Sequence, residues 1–173
     1  MKYLVVIALP LDLSSRLAKI QRLYRSPRWN IALPPHITLL PPAKLKSDQK
    51  ELGKMLAKIA QQFSPFEIKI SGAGKFNNRG NAIFAKIGES PKLSELHQCL
   101  SNQIKNHLEF KNQRHFRPHI TLSSQLQRNE AKEKFDVIKK LVPKAKFLCE
   151  KITLFSKSDS ARKYQKVAEF AFK

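Results

Sequence analysis

Pro35-His36-Ile37-Thr38-Leu39 recurs letter for letter as Pro118-His119-Ile120-Thr121-Leu122. A five-residue identity containing the scarce residue histidine, of which the chain has 5, points to an internal duplication. Each copy precedes a helical pattern and then a pair of strand patterns. The expected architecture is therefore two related lobes, each supplying one His-x-Thr strand. Side chains on a strand alternate faces, so His36 and Thr38 share one face while Ile37 and Leu39 take the other. The same alternation sets His119 and Thr121 against Ile120 and Leu122. If the lobes face each other, two imidazoles and two hydroxyls meet in one cleft, each pair anchored by two buried aliphatics.

The remaining pattern alternates strands and helices. A β-branched run gives a buried strand over Tyr3–Leu9. A helix near Leu13–Tyr24 follows, with Asp12 or Ser14 as N-cap and Leu13, Leu17, Ile20 and Leu23 at helical spacing. The strand His36–Leu40 is hemmed by Pro34-Pro35 and Pro41-Pro42. Ser47 or Asp48 caps a helix to about Gln62, with Leu52, Met55, Leu56 and Ile59 inward. Strands near Phe66–Ile70 and Ala82–Ile87 flank a turn-rich loop, Gly72-Ala73-Gly74-Lys75-Phe76-Asn77-Asn78-Arg79-Gly80-Asn81. Pro91 opens a helix to about Leu108, His119–Ser123 is a strand, and a helix covers Asn129–Leu141. Closing strands lie near Lys146–Ser156 and Tyr164–Phe172. With no linker or low-complexity segment, residues 1–173 are expected to form a single bilobal α+β domain with helices on the sheet faces.

A chain of 173 residues can bury roughly 70 % of its unfolded surface and needs no metal or disulfide staple. Its 42 % hydrophobic content and 11 phenylalanines argue against disorder. No apolar run approaches the ~18 residues of a membrane span. Pro10 and Asp12 stand where the N-terminal apolar run, taken as a signal peptide, would need a small-residue cleavage site. A cytoplasmic location is expected, and Cys99 and Cys149 read as core thiols rather than a bridge or metal pair. Thirty-three Lys+Arg against 13 Asp+Glu leave a net charge of +20, a field that favours polyanionic partners, nucleic acid above all. No segment pairs a long apolar face with interfacial aromatic anchors, which sets a membrane surface aside.

Two imidazoles and two hydroxyls suit in-line phosphoryl chemistry on RNA. One imidazole takes a proton from the attacking water or hydroxyl, and the other gives one to the departing ribose oxygen. Threonine hydroxyls donate to non-bridging phosphate oxygens as charge develops. The sequence has no obvious carboxylate cluster to hold a metal, and the chemistry does not require a cofactor.

At these residues the chain resembles the two-histidine (2H) phosphoesterase superfamily, which includes RNA 2′,3′-cyclic phosphodiesterases and the enzymes named 2′-5′ RNA ligases. Its hallmark is the pair of His-x-Thr/Ser motifs, here His36-Ile37-Thr38 and His119-Ile120-Thr121, and the resemblance covers essentially the whole chain. It implies a bilobal fold with two antiparallel sheets lining a central cleft and helices outside. It also implies metal-free catalysis by His36 and His119, with Thr38 and Thr121 binding phosphate. Many relatives of the ligase-like branch have a basic residue soon after the second motif, where this chain has Ser123 and Ser124.

The expected activity is hydrolysis of a 2′,3′-cyclic phosphate on an RNA end or nucleotide, leaving a 2′-phosphate by analogy with the family. The alternatives are 2′-5′ ligation or 2′-5′ phosphodiester cleavage, and a non-catalytic basic RNA-binding module. A monomer is expected, since the cleft needs no partner to complete it. Secondary candidates are Arg117 for phosphate and Phe76 and Tyr164 for base stacking, with Trp29 of the same standing. Aromatics in such a composition are more often core. Gly72-Ala73-Gly74-Lys75 lacks the Ser/Thr and following helix of a phosphate loop. His97, His107 and His115 read as solvated surface, and Lys139, Lys140, Lys144 and Lys146 as a basic face.

Overall fold

The computed structural model describes residues 1–77, 81–109 and 115–173. Asn78, Arg79 and Gly80 of the turn-rich loop lie outside the described residues. The elements run β1 (Lys2–Ala8), α1 (Leu11–Tyr24), β2 (His36–Leu45), α2 (Gln49–Ala60), β3 (Phe66–Lys75), β4 (Ile83–Ile87), α3 (Pro91–Ile104), β5 (Leu108–Glu109), β6 (His119–Ser123), α4 (Arg128–Leu141), β7 (Ala145–Cys149), β8 (Lys151–Lys157) and β9 (Gln165–Ala171). They build two antiparallel sheets, ordered β5-β2-β1-β8-β9 and β6-β4-β3-β7. This is the α+β architecture read from the strand and helix pattern, with the two antiparallel sheets that the resemblance implies.

Each sheet turns one face to helices. Helices α2 and α3 pack on the first sheet, whereas α1 and α4 pack on the second. Alternation decides what is buried beneath them. Tyr3, Val5 and Ile7 with Ile37 and Leu39 form the covered face of the first sheet, and Ile120 and Leu122 do so on the second. One continuous apolar cluster joins these residues across both sheets, which leaves the opposite faces, with both His-x-Thr pairs, to line the cleft.

Several boundaries differ from the sequence reading for identifiable reasons. Helix α1 starts at Leu11 with Pro10 in the N-cap position, so neither Asp12 nor Ser14 caps it. Asp12 instead lies in the first turn, where a carboxylate complements the helix dipole. Leu23 is 66 % exposed while Gln21 is buried. The Gln21 amide donates to the Thr121 carbonyl at 2.7 Å, tying α1 to the second motif strand. Asp48 does cap α2, accepting from the Lys50 N–H.

Strand β2 continues through Pro41-Pro42 to Leu45. The β1–β2 register shifts between Tyr3 and Val5, opposite these prolines, and β5 pairs only with Lys44 and Leu45. At a bulge the missing N–H costs no ladder bond. Strand β3 absorbs Gly72-Ala73-Gly74-Lys75. The span Lys146–Ser156 is two strands broken at Glu150, not one. β7 pairs with β3 in the second sheet and β8 with β1 in the first. The chain thus crosses between lobes, and the strand pair after the second motif is divided between sheets, unlike the β3–β4 hairpin after the first. Cys99 and Cys149 are free, and burial pushes the Cys149 thiol up to about 12.

Thr153, paired with Val6 and Glu169, is fully buried, and among the described residues its hydroxyl has no hydrogen-bond partner. A buried unsatisfied hydroxyl costs about 1–3 kcal/mol. Thr153→Val, which keeps the branched shape, is expected to stabilise the chain by about 1 kcal/mol, raising Tm by about 2–4 °C. Thermal and urea unfolding of the two proteins check this; a lower Tm would mean that the hydroxyl is satisfied.

Candidate active site

The two motif strands approach one another, with Cα–Cα separations of 8 Å or less between β2 and β6. His36 opens β2 opposite Ala8, and Thr38 pairs with Val6. His119 opens β6 opposite Lys86, and Thr121 pairs with Phe84. Directly paired residues share a face, so the cleft floor carries His36, Thr38 and Val6 on one side and His119, Thr121, Phe84 and Lys86 on the other.

Both imidazoles are held in the same way. His36 Nδ1 lies 2.7 Å from the Pro34 carbonyl, and His119 Nδ1 lies 2.6 Å from the Arg117 carbonyl. A carbonyl only accepts, so Nδ1 carries the hydrogen in each ring and Nε2 is left free. Neutral, Nε2 offers a lone pair; protonated, it offers an acid. The residue two positions upstream fixes the ring by its backbone, which makes this device indifferent to that residue's side chain.

Burial pushes the pKa of both rings below the ordinary value of 6.5. For His36 burial is the largest cause; the Pro34 carbonyl pulls the other way, and the charge of His119 lowers it further. A charge on His119 thus opposes a charge on His36, so the two rings are disfavoured from being protonated together.

A cavity of about 420 Å³ opens beside His119. Phe76 and Phe84 stack at 4.3 Å between centroids and meet the His119 ring at 5.1 and 5.2 Å. Lys75, Lys86 and Arg117 add positive charge, and among the described residues the lining contains no carboxylate. Gly74 lets the Phe84 ring lie close over β3: a Cβ there would stand 2.6 Å from the ring and force it to shift. Phe116 also lines this cavity and stacks on His97 at 3.8 Å.

Of the residues singled out from sequence, His36, Thr38, His119, Thr121, Arg117 and Phe76 therefore border the cleft or this cavity. Tyr164 stands apart from the His119 cavity but packs on the cleft face of the first sheet, through Val6, which pairs with Thr38. It packs on an apolar patch of Leu4, Val6, Leu33 and Phe155, with Lys157 Nζ 5.7 Å from its ring centre. His97 is not simply solvated, given its stack on Phe116, and His107 Nδ1 lies 3.2 Å from Ser47 Oγ. Phe84 and Lys86 were missed. They alternate with Ile83, Ala85 and Ile87, and only the β4–β6 pairing puts them beside a histidine. Ser123, just after the second motif, is fully buried and donates to the Tyr24 carbonyl at 2.7 Å. A basic side chain at that position would have to enter the core. Among the described residues no three His, Cys, Asp or Glu side chains cluster as a metal site would require, and no helix is long and apolar enough to cross a membrane.

Comparison with known proteins matches the same span. Residues 9–161 fit the model of the 2′-5′ RNA ligase superfamily. A protein of Oceanobacillus iheyensis with a provisional phosphoesterase name is 30 % identical over 134 residues, covering 75 % of this chain and 74 % of that one. A similarly named protein of Geobacillus thermodenitrificans is 33 % identical over 109 residues, covering 62 % and 61 %. Among solved structures, TT0787 of Thermus thermophilus superposes with a TM-score of 0.72 at 19 % identity, covering 99 % of this chain and 98 % of that one. E. coli LigT complexed with 3′-AMP does so with a TM-score of 0.64 at 19 % identity, covering 99 % and 97 %. These last two likenesses concern the fold, while the family match rests on sequence along most of the chain. This chain belongs to the 2′-5′ RNA ligase superfamily of two-histidine phosphoesterases.

Proposed function

We propose that the chain hydrolyses 2′,3′-cyclic phosphate on RNA ends or nucleotides to the 2′-phosphate without a metal ion. The observation that carries this reading is the pair of imidazoles, each fixed through Nδ1 with Nε2 free, on two motif strands that approach one another. One neutral Nε2 removes a proton from water as its oxygen attacks phosphorus. The phosphorus–O3′ bond breaks, and the other ring, protonated, gives its Nε2 proton to O3′. Thr38 and Thr121 donate to the non-bridging oxygens. Arg117 and Lys86 draw the anion in, and the Phe76–Phe84 pair receives the base by stacking. The co-crystallised 3′-AMP of the structural neighbour LigT supports a nucleotide ligand for this type of cleft.

The test is turnover, in excess EDTA, of an oligonucleotide ending in a 2′,3′-cyclic phosphate, compared with a 2′-5′-linked oligonucleotide. Release of a 2′-phosphate end from the first supports the reading. Inertness towards cyclic phosphates, with cleavage of the second, would replace it with 2′-5′ phosphodiester chemistry.

The lowered histidine pKa values fix the sign of the pH dependence. In the free enzyme the acid must hold its proton, and its pKa lies below the ordinary 6.5. The alkaline limb of kcat/KM therefore starts below pH 6.5 and falls up to about tenfold per pH unit beyond it. Bound phosphate favours imidazolium, so the kcat limb should lie at higher pH. A kcat/KM that climbs from pH 6 to pH 8 would rule out this protonation scheme.

A further inference from the structure

A second concavity, of about 370 Å³, lies outside the site described above and is lined by Arg25, Pro27, Arg28, Trp29, Asn30 and Arg162. Three guanidinium groups around one indole is an arrangement with a recognisable chemistry. Arginine's planar fork matches phosphate oxygens two at a time, and an indole face accepts a stacked base. Among the described residues none of the three arginines forms an ion pair with a carboxylate. Arg28 does act electrostatically on Glu130, but that carboxylate is held by Lys134 at 2.7 Å and by the Gln127 N–H at 3.2 Å. Lys134 also donates to the Arg25 carbonyl at 3.3 Å, which helps to hold the loop.

The concavity is fixed by bonds that do not involve the guanidinium groups. Ser26 is fully buried, its hydroxyl accepts from the Arg28 N–H, and its carbonyl accepts from the Trp29 N–H at 3.0 Å. The Asn30 amide donates to the Arg162 carbonyl at 3.0 Å, and the Tyr164 N–H to the Ala32 carbonyl at 3.0 Å. Two loops are thus tied together, with Arg28 and Arg162 exposed and Trp29 half-buried.

Position links this concavity to the cleft. Trp29 and His36 are seven positions apart, so the two Cα atoms are at most about 25 Å apart. The chain between them carries Leu33, which joins Tyr164, Leu4 and Val6 in one apolar patch, and Val6 pairs with Thr38. A 2′,3′-cyclic phosphate ends an RNA strand, so every other nucleotide lies on its 5′ side. We propose that Arg25, Arg28, Trp29 and Arg162 form a second nucleotide subsite. It grips a phosphate and stacks a base of single-stranded RNA on the 5′ side of the reacting end, making an RNA strand a better substrate than a mononucleotide. This rests on the proposed activity for the identity of the reacting end, but not for the binding itself.

Trp29 is the only tryptophan in the chain, so its fluorescence reads this subsite directly. The titrants are a hexaribonucleotide ending in 2′-phosphate and the matching 2′-mononucleotide. The hexamer should quench Trp29 saturably, and the mononucleotide should not. The Arg28→Ala/Arg162→Ala double variant should weaken hexamer binding by about tenfold or more and make its log–log salt slope shallower by about 1. The hexamer-to-mononucleotide ratio of kcat/KM for the cyclic phosphates should fall by a similar factor. Quenching with no turnover of any cyclic phosphate would sink the proposed activity and keep the subsite. Turnover with no quenching and no preference for length would remove the subsite and keep the activity.

Discussion

His36→Ala and His119→Ala are each expected to lower kcat on a 2′,3′-cyclic phosphate by about 10²–10⁴-fold, the range for losing a positioned acid or base. The fold should survive both changes. Each ring is half-buried at the start of its strand, and its one hydrogen bond goes to a carbonyl two residues upstream. The aliphatics that hold the strands, Ile37 and Leu39 or Ile120 and Leu122, are untouched. The double variant should be little worse than either single one, because two groups that move protons in one step act as a unit. His→Asn is the sharper control. Its amide can still donate to the Pro34 or Arg117 carbonyl but cannot carry a proton at neutral pH, so it should be as inactive as alanine. Steady-state kinetics with circular dichroism of each variant make the measurement. Activity within threefold of wild type in either alanine variant would remove that histidine from the reaction.

The reason this pair could be read from sequence is that its signal is local. A repeated pentapeptide with period-two alternation names the strand, the buried face and the cleft face together, and β2 and β6 both follow it. The errors arose where pairing partners decide the outcome. Pro41 and Pro42 looked like a strand end because a proline breaks a ladder, yet the bulge opposite Tyr3–Val5 makes their missing N–H harmless. Lys146–Ser156 looked continuous because Phe147, Cys149, Ile152 and Leu154 are all apolar, but the phase slips at Glu150 and the halves join different sheets. Leu23 matched the helical period and still faces solvent, while Gln21 is buried by a tertiary bond to Thr121 that no periodicity encodes. The aromatic wall divides in the same way. Phe76 sits in a loop and drew notice for its composition, whereas Phe84 becomes a neighbour of His119 only through the β4–β6 register. Tyr164 packs on Leu4, Val6, Leu33 and Phe155, a placement that the pattern of its own strand does not encode.

Thr38→Val and Thr121→Val are each expected to reduce kcat by about 10²-fold, with KM changed by less than about threefold, the pattern of a donor that acts on charge developing in the transition state. Valine keeps the β-branched shape and the strand preference of threonine, so the substitution removes little beyond a hydroxyl. The cyclic phosphodiester carries one negative charge before attack and gathers a second on its non-bridging oxygens as the water proton leaves. A hydroxyl aimed at those oxygens therefore matters more at the barrier than in the bound substrate. Thr→Ser, which keeps the donor and drops a methyl group, should recover most of the activity at either position. The two sites also differ in a useful way. Thr121 pairs with Phe84 in the aromatic wall, whereas Thr38 pairs with Val6 in the other sheet. A change that merely disturbed the wall would raise KM in Thr121→Val and spare Thr38→Val. Equal losses confined to kcat would mean that the oxyanion is held from both lobes at once. A loss confined to KM in both would move the transition-state contact to Arg117 and Lys86 and leave the threonines as ground-state binders.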